Sequence, residues 1–219
     1  MRHEADDAKT QIQLQNITDA EAEALIVRSV ELFNEVRENW WQSEVREQGR
    51  VYPLCLAGIG PYGAYLANGA EYRGRYGVSK EVLRQFHARR MELLWNAGAD
   101  ILLIETQPSL QEALLEADLA EQLGADYWIS FTCGDDAHTW EGDDIRDCAK
   151  ALSENHPHLK MIGVNCVAPH LVSGLIENLK AGCGLPIGVY PNSGETYDPI
   201  TKTWSGTKDG VRFGDYAYR

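Results

Sequence analysis

The sequence predicts an α/β protein built on a parallel sheet, and three observations carry that prediction. Five short apolar runs alternate with amphipathic helical stretches. Two helix-to-strand junctions repeat each other: Ala97-Gly-Ala-Asp100 and Leu123-Gly-Ala-Asp126 both place a glycine stop and an aspartate just before a strand. Polar residues then follow the strands directly, as Glu105-Thr106, Thr132-Cys133, Asn165-Cys166 and Tyr190-Pro-Asn-Ser-Gly-Glu195. Parallel pairing requires crossover helices that cover the sheet, so its strands read apolar along their length.

The elements follow in order. Residues 1–15 are polar and are expected to be a disordered N-terminal segment, leaving 16–219 as one domain. Thr18-Asp-Ala-Glu21 is a capping box, and Ala22, Leu25, Ile26, Phe33, Val36 and Trp40 continue at three- and four-residue steps as a helix of about 25 residues. The run Leu54–Gly58 predicts a strand, stopped by a loop at Gly60-Pro-Tyr-Gly63. Ser79 caps the next helix, with Leu83, Phe86, Leu94 and Ala97 on one face and Gly98 at its end; strand Ile101–Ile104 follows. Ser109-Leu-Gln-Glu112 opens a helix carrying Ala113, Leu114, Ala117 and Ala120, which ends at Gly124 before strand Tyr127–Phe131. The alternation continues with a helix near 145–153, strand Met161–Val164, a helix near 171–179 and strand Pro186–Val189. A barrel and an open doubly wound sheet share this alternation; the polar strand ends favour the barrel, whose enzymes collect their chemistry there.

Composition narrows the functional classes. The chain has 219 residues, 44% of them hydrophobic, enough for one substantial core. Its 33 acidic against 20 basic residues give a formal charge of −13, which repels phosphate backbones and anionic membrane surfaces, so neither nucleic acid nor membrane is an expected partner. No apolar stretch approaches a membrane span and MRHEADDAKT has no signal-peptide core, which predicts a cytoplasmic protein. Five scattered cysteines without a CxxC pair signal neither a disulfide framework nor a self-contained structural zinc site.

Among candidate chemical groups, Cys166 stands where an apolar run meets the carboxyl edge of the sheet. Its thiol can be a zinc ligand, a nucleophile, or simply a small buried hydrophobe. Glu105, at the end of Ile101–Ile104, needs a cationic or hydrogen-bonding partner, either a substrate ammonium group or the protein's own donors. Residues 190–195 combine a rigid proline, a glycine and polar side chains, which suits a ligand-binding turn or an ordinary one. Gly58-Ile-Gly-Pro-Tyr-Gly63 lacks the spacing of a dinucleotide loop and the Lys-Ser/Thr ending of a phosphate loop, so nucleotide binding is rejected. Asp135-Asp136 and Glu141–Asp144 fit no calcium loop and read as a solvated segment. His156 and His158 flank Pro157 and are expected to be exposed, and Trp40 and Trp41 read as packing residues.

Taken together, Gly60–Ala67 with Glu71-Tyr-Arg-Gly74, Ala99–Thr106, Gly163-Val-Asn-Cys166 and Tyr190–Glu195 resemble, in order, the signatures of the homocysteine S-methyltransferases, in particular the bacterial and plant enzymes that use S-methylmethionine. The resemblance runs from about Thr18 to Trp204. It implies a (β/α)8 TIM-type barrel and zinc-dependent transfer of a methyl group from a sulfonium donor, S-methylmethionine or S-adenosylmethionine, to homocysteine, giving methionine. It further implies that Cys166 is a zinc thiolate and that Glu105 receives the substrate ammonium group. Asn192 would shape the pocket, with Thr106 and Asn165 as secondary contacts.

The family also carries a first strand ending in Asp-Gly and a last strand with Gly-Gly-Cys-Cys, which supplies two further zinc thiolates; neither motif occurs here. The expectation is therefore about five of eight βα units, a chain truncated at both ends, and open barrel edges that invite self-association. One thiolate does not make the usual three-protein-ligand catalytic zinc site. The alternative to an active methyltransferase is accordingly a catalytically inactive barrel remnant that binds an amino acid or a partner chain. A third reading, an unrelated barrel with Cys166 as covalent nucleophile, needs a nearby base, and no histidine directly follows a strand.

Overall fold

A computed structural model describes residues 17–198, 201 and 203–206; the polar segment 1–15 lies outside them. The elements run α1 (Asp19–Trp41), β1 (Leu56–Ile59), α2 (Tyr62–Tyr65), α3 (Lys80–Asn96), β2 (Ile101–Gln107), α4 (Leu110–Leu123), β3 (Tyr127–Phe131), α5 (Ile145–Asn155), β4 (Leu159–Asn165), α6 (Val172–Gly182) and β5 (Ile187–Tyr190). A small antiparallel hairpin, β6 (Thr196–Asp198) and β7 (Thr203–Ser205), follows.

The serine and threonine caps act where they were placed, but only the Ser109 half of the capping box expected at Ser109–Glu112 forms, because the Glu112 carboxylate turns to Tyr62 N and His87. Thr18 and Glu21 form a reciprocal capping box at α1, and the Ser79 and Ser109 hydroxyls accept from Val82 N and Glu112 N at the starts of α3 and α4. The repeated junctions are structural twins. Gly98 and Gly124 both adopt positive φ, and the next residue donates five residues back, Ala99 N to Leu94 O and Ala125 N to Ala120 O. The following aspartates tie neighbouring strand starts together. Asp100 Oδ2 accepts from Cys55 N at 2.6 Å and pairs with Arg37 of α1, while Asp126 Oδ1 lies 3.0 Å from both His158 Nδ1 and Lys160 Nζ.

The five strands are all parallel and lie in the order β1-β2-β3-β4-β5. This order decides between the two architectures that the alternation left open. A doubly wound sheet reverses its strand order to place helices on both faces; here each strand pairs with its predecessor, so crossovers of one hand stack the helices on one face, as in a TIM-type barrel. Burial agrees. Ile59, Leu102, Ile104, Ile129, Phe131, Ile162 and Val164 are sealed against the helices in one core. The alternate residues Leu103, Glu105, Trp128, Met161 and Tyr190 are half-buried on the inner, concave face.

Three expectations are corrected. Strand β1 begins at Leu56 rather than Leu54: Leu54 is exposed, and pairing starts where Cys55 O accepts from Asp100 N and Ile101 N. Pro61 opens the single helical turn α2 inside the expected loop. His156 is not exposed; its ring faces Leu152 O at 2.9 Å, packed over the end of α5. The acidic segment is solvated at Asp135, Asp136 and Asp144, but its carboxylates serve the backbone. Asp144 caps α5 and Asp143 Oδ2 accepts from Leu110 N at the start of α4. Among the described residues, no helix is long and apolar enough to cross a membrane.

Candidate functional site

At the carboxyl ends of β2 and β4 the backbone departs from strand geometry twice. Thr106 has φ +60° and Cys166 has φ +52°, the left-handed region that a residue with a β-carbon avoids. The Thr106 turn interrupts the β2–β3 register between Ile104 and Gln107, a bulge that re-aims the side chains beside it.

Asn165 holds the two distorted residues together. Its Oδ1 accepts from Thr106 N at 2.9 Å, and its Nδ2 donates to Thr106 Oγ1 at 2.7 Å and to Cys166 Sγ at 3.2 Å. The amide is buried, so these bonds stand in for water, and removing one partner would strand the others. Thr106 Oγ1 also approaches the sulfur, at 3.8 Å. Two donors therefore converge on Cys166 Sγ and fix where it points. The main chain of Cys166 is pinned as well: its N donates to Tyr190 O at 3.3 Å, and its carbonyl accepts from Thr132 Oγ1 at 3.4 Å.

Glu105 points to the same inner face. The Tyr190 hydroxyl donates to Glu105 Oε2 at 3.1 Å. Burial, and to a lesser degree the Glu105 carboxylate, push the Tyr190 hydroxyl above its usual pKa against the nearby Ser130 hydroxyl, so it remains a donor. The other oxygen, Oε1, faces Gly58, where an added β-carbon would stand 3.0 Å away; glycine there leaves the carboxylate approachable. Trp128 forms the floor. Its ring packs edge-on against Tyr190, with centroids 5.5 Å apart, and lies over Gly188, where a β-carbon would come within 2.1 Å of Trp128 Cζ2. Gly163 permits the same close approach, since its β-carbon would meet Gly188 O at 1.9 Å.

The structure thus brings together Glu105, Thr106, Asn165 and Cys166. Asn192 joins through its backbone, donating to Val167 O at 3.0 Å and holding the turn after β5 against the segment beyond Cys166. The remaining cysteines stay out of the site. Cys133 and Cys148 are buried and their thiols are pushed upward by burial, Cys133 to about 12, which leaves them inert. Among the described residues no three His, Cys, Asp or Glu side chains converge as a metal site. A thiol such as that of Cys166 is chemically suited to zinc, and among the described residues no set of three such ligands completes a site around it.

Sequence reasoning missed two features. Tyr190 was read as the start of a turn, not as the partner of Glu105, a contact across 85 residues. It also missed a polar cluster on the helical side. His87, Glu112 and Glu116 are fully buried between α3 and α4, with His87 Nε2 2.9 Å from Glu112 Oε1 and Nδ1 3.0 Å from Glu116 Oε1. Arg90 Nη2 lies 3.1 Å from His87 Nδ1 and donates to Gly60 O at 3.1 Å, while Glu112 Oε1 accepts from Tyr62 N at 2.6 Å. The only signal was periodic: His87 sits at the four-residue step between Leu83 and Met91 on the buried face of α3.

Comparison with known proteins bears on what this site is for. The family model for homocysteine S-methyltransferase matches residues 7–215. The chain is 44% identical over 199 residues to homocysteine S-methyltransferase YbgG of Bacillus subtilis, covering 90% of this chain and 63% of that protein. It is 42% identical over 193 residues to the Escherichia coli homocysteine S-methyltransferase and 38% identical over 213 residues to the selenocysteine methyltransferase of Astragalus bisulcatus. The metallated crystal form of the Escherichia coli homocysteine methyltransferase MmuM superposes with a TM-score of 0.76 at 39% identity, over 83% of this chain and 62% of that one. The chain spans about three-fifths of the length of these relatives.

Proposed function

Since this chain belongs to the homocysteine S-methyltransferase family, we propose that its inner sheet face is the homocysteine half of a methyl-transfer site. The observation that carries this reading is the placing of Glu105 and Cys166 at the carboxyl ends of β2 and β4, on either side of β3, with Thr106 and Asn165 bonded between them. An amino acid with a sulfur terminus needs both a carboxylate for its ammonium group and a fixed position for its sulfur. In the transfer, the homocysteine sulfur attacks the methyl carbon of a sulfonium donor such as S-methylmethionine. The methyl–sulfonium bond breaks, the donor leaves as a neutral thioether, and the homocysteine thiol proton is released.

The roles of this chain's residues follow from their contacts. Glu105, steadied by the Tyr190 hydroxyl, would take the ammonium group from the Gly58 side. Asn165 and Thr106 orient the Cys166 sulfur, and Asn192 holds the turn that walls the pocket. Zinc, when bound in this family, would activate the homocysteine thiol, with Cys166 as one ligand. Among the described residues no group of three ligating side chains forms around it, short of the three protein ligands of a catalytic zinc site. That incomplete donor set favours a second reading, an amino-acid-binding barrel without turnover. The open β1 edge, with Leu54 and Leu56 exposed, also supports self-association, which sedimentation velocity measures.

Calorimetric titration with homocysteine, alongside zinc analysis and an assay of methionine formed from homocysteine and S-methylmethionine, tests both readings. Glu105→Gln is expected to weaken homocysteine binding roughly tenfold to a hundredfold, the scale of a charged hydrogen bond. Unchanged affinity in that variant overturns the assignment. Binding without methionine formation selects the second reading.

A further inference from the structure

The polar cluster between α3 and α4 holds three fully buried ionisable side chains, His87, Glu112 and Glu116, an arrangement that an apolar core would replace at a smaller desolvation cost. Glu112 shows that cost most plainly. It stands at the third position of α4, where its N donates to Ser109 Oγ at 3.2 Å and where a glutamate ordinarily turns back to close its own helix cap. Its carboxylate leaves that cap: Oε1 accepts from Tyr62 N at 2.6 Å, across 50 residues, and lies 2.9 Å from His87 Nε2. The His87 ring is held from its other side as well, with Nδ1 3.0 Å from Glu116 Oε1. Arg90, one turn along α3, donates from Nη2 to Gly60 O at 3.1 Å, and its guanidinium lies 4.8 Å from the Phe86 ring centre. Two bonds from the cluster thus land on the chain just beyond β1, one on a donor and one on an acceptor.

That segment is where the sheet most needs an outside tie. Among the described residues β1 pairs with β2 alone, from Leu56 opposite Ile101 to Ile59 opposite Ile104. A strand end with a neighbour on one side opens more readily than one paired on both. Gly58 lies near this end, and a β-carbon on it would stand 3.0 Å from Glu105 Oε1. The room beside the Glu105 carboxylate is therefore set by where the end of β1 sits relative to β2. Gly60 and Tyr62, the two gripped residues, follow Gly58 at once, and Glu112 follows Glu105 by two turns of chain. One carboxylate ties together the two segments that border the room for an ammonium group.

We propose that His87, Arg90 and Glu112 are positioning residues for the homocysteine half-site: by gripping Gly60 O and Tyr62 N they hold the end of β1 at the distance from Glu105 that admits an ammonium group. The proposal rests on the half-site reading above and adds to it a set of residues on the helical side of the sheet on which the affinity depends. They act through the end of β1 and not by touching the ligand. A displacement of well under an ångström at a charged contact is enough to be felt in binding.

The test is calorimetric titration of homocysteine into the full chain and into Glu112→Ala, Glu112→Gln, Arg90→Met and Leu119→Ala variants, each at a temperature where circular dichroism shows it folded. Glu112→Ala is expected to weaken binding roughly tenfold. Glu112→Gln keeps an oxygen for Tyr62 N and should stay within about twofold of the wild type. Arg90→Met keeps a side chain over Phe86 but loses the bond to Gly60 O, and should weaken binding about threefold to fivefold; it carries the test if Glu112→Ala does not fold. Leu119, buried farther along α4, is the control: Leu119→Ala lowers the thermal midpoint and should leave the affinity unchanged. Wild-type affinity in both Glu112→Ala and Arg90→Met overturns the proposal, as does an equal loss in Leu119→Ala or in Glu112→Gln. Glu105→Gln separates the two readings. If that variant binds weakly while Glu112→Ala and Arg90→Met bind normally, the clamp falls and the half-site stands; if the wild type does not bind homocysteine, both fall.

Discussion

On the inner face of the sheet Glu105, Thr106, Asn165 and Cys166 meet across β2 and β4, whereas on its helical face His87, Arg90, Glu112 and Glu116 meet between α3 and α4. The inner group is half open, contains two residues in left-handed backbone, and binds its members through neutral amide and hydroxyl bonds. The outer group has three fully buried members and sets an imidazole and a guanidinium against two carboxyl groups. Strain is tolerated at the face proposed to meet a ligand, and ionisable groups are sealed where loops are held. Through Gly60 O and Tyr62 N, the outer cluster fastens the rim loop that follows β1.

The comparison breaks most clearly at Glu112. Glu112→Ala leaves His87 and Tyr62 N facing an empty carboxylate position, and such a broken buried pair costs about 3–5 kcal/mol. Urea unfolding should show that loss, and amide exchange should rise at residues 60–65. Next in size is Gly188→Ala, whose methyl would collide with Trp128 and displace the floor of the inner site. We expect about 1–3 kcal/mol of destabilisation, with a change in Trp fluorescence.

The pH dependence sharpens the contrast. Burial alone would lower the His87 imidazole, but the Glu116 and Glu112 carboxylates outweigh it and hold it at about 9, above the ordinary 6.5. A raised pKa means that the folded state keeps a proton the unfolded chain releases. His87's contribution is therefore full below pH 6.5 and lost as the pH climbs through 9. Glu116, pushed up to about 7 first by burial, acts in the same direction between its ordinary 4.5 and 7. The thermal midpoint should fall between pH 6.5 and 9, and His87→Gln should flatten that slope. The smallest effect on folding is expected at Cys166→Gly. Relief of the left-handed strain roughly offsets the added chain entropy, so stability should stay within about 1 kcal/mol, while the homocysteine binding proposed above should weaken in calorimetric titration.

Much of the fold was legible because its signals are local. Thr18, Ser79 and Ser109 announce helices within four residues, and Gly98 and Gly124 end them in the same way. The strand order was not legible: nothing within Tyr127–Phe131 says which neighbours it will take, so the choice between barrel and open sheet waited on pairing. At the site, Glu105 and Cys166 showed themselves by standing just after apolar runs. The Asn165 bridge to Thr106 spans 59 residues and the His87–Glu112 contact 25, and both depend on which strands and helices become neighbours. A glutamate in a capping-box position such as Glu112 reads as solvent-facing until α3 is known to lie over it.

The consecutive strand order also bears on synthesis. Within the five-stranded sheet, each of β2 to β5 docks on the strand translated just before it. The sheet can grow outward at the pace of elongation, with α3, α4, α5 and α6 in turn sealing the face that each new strand completes.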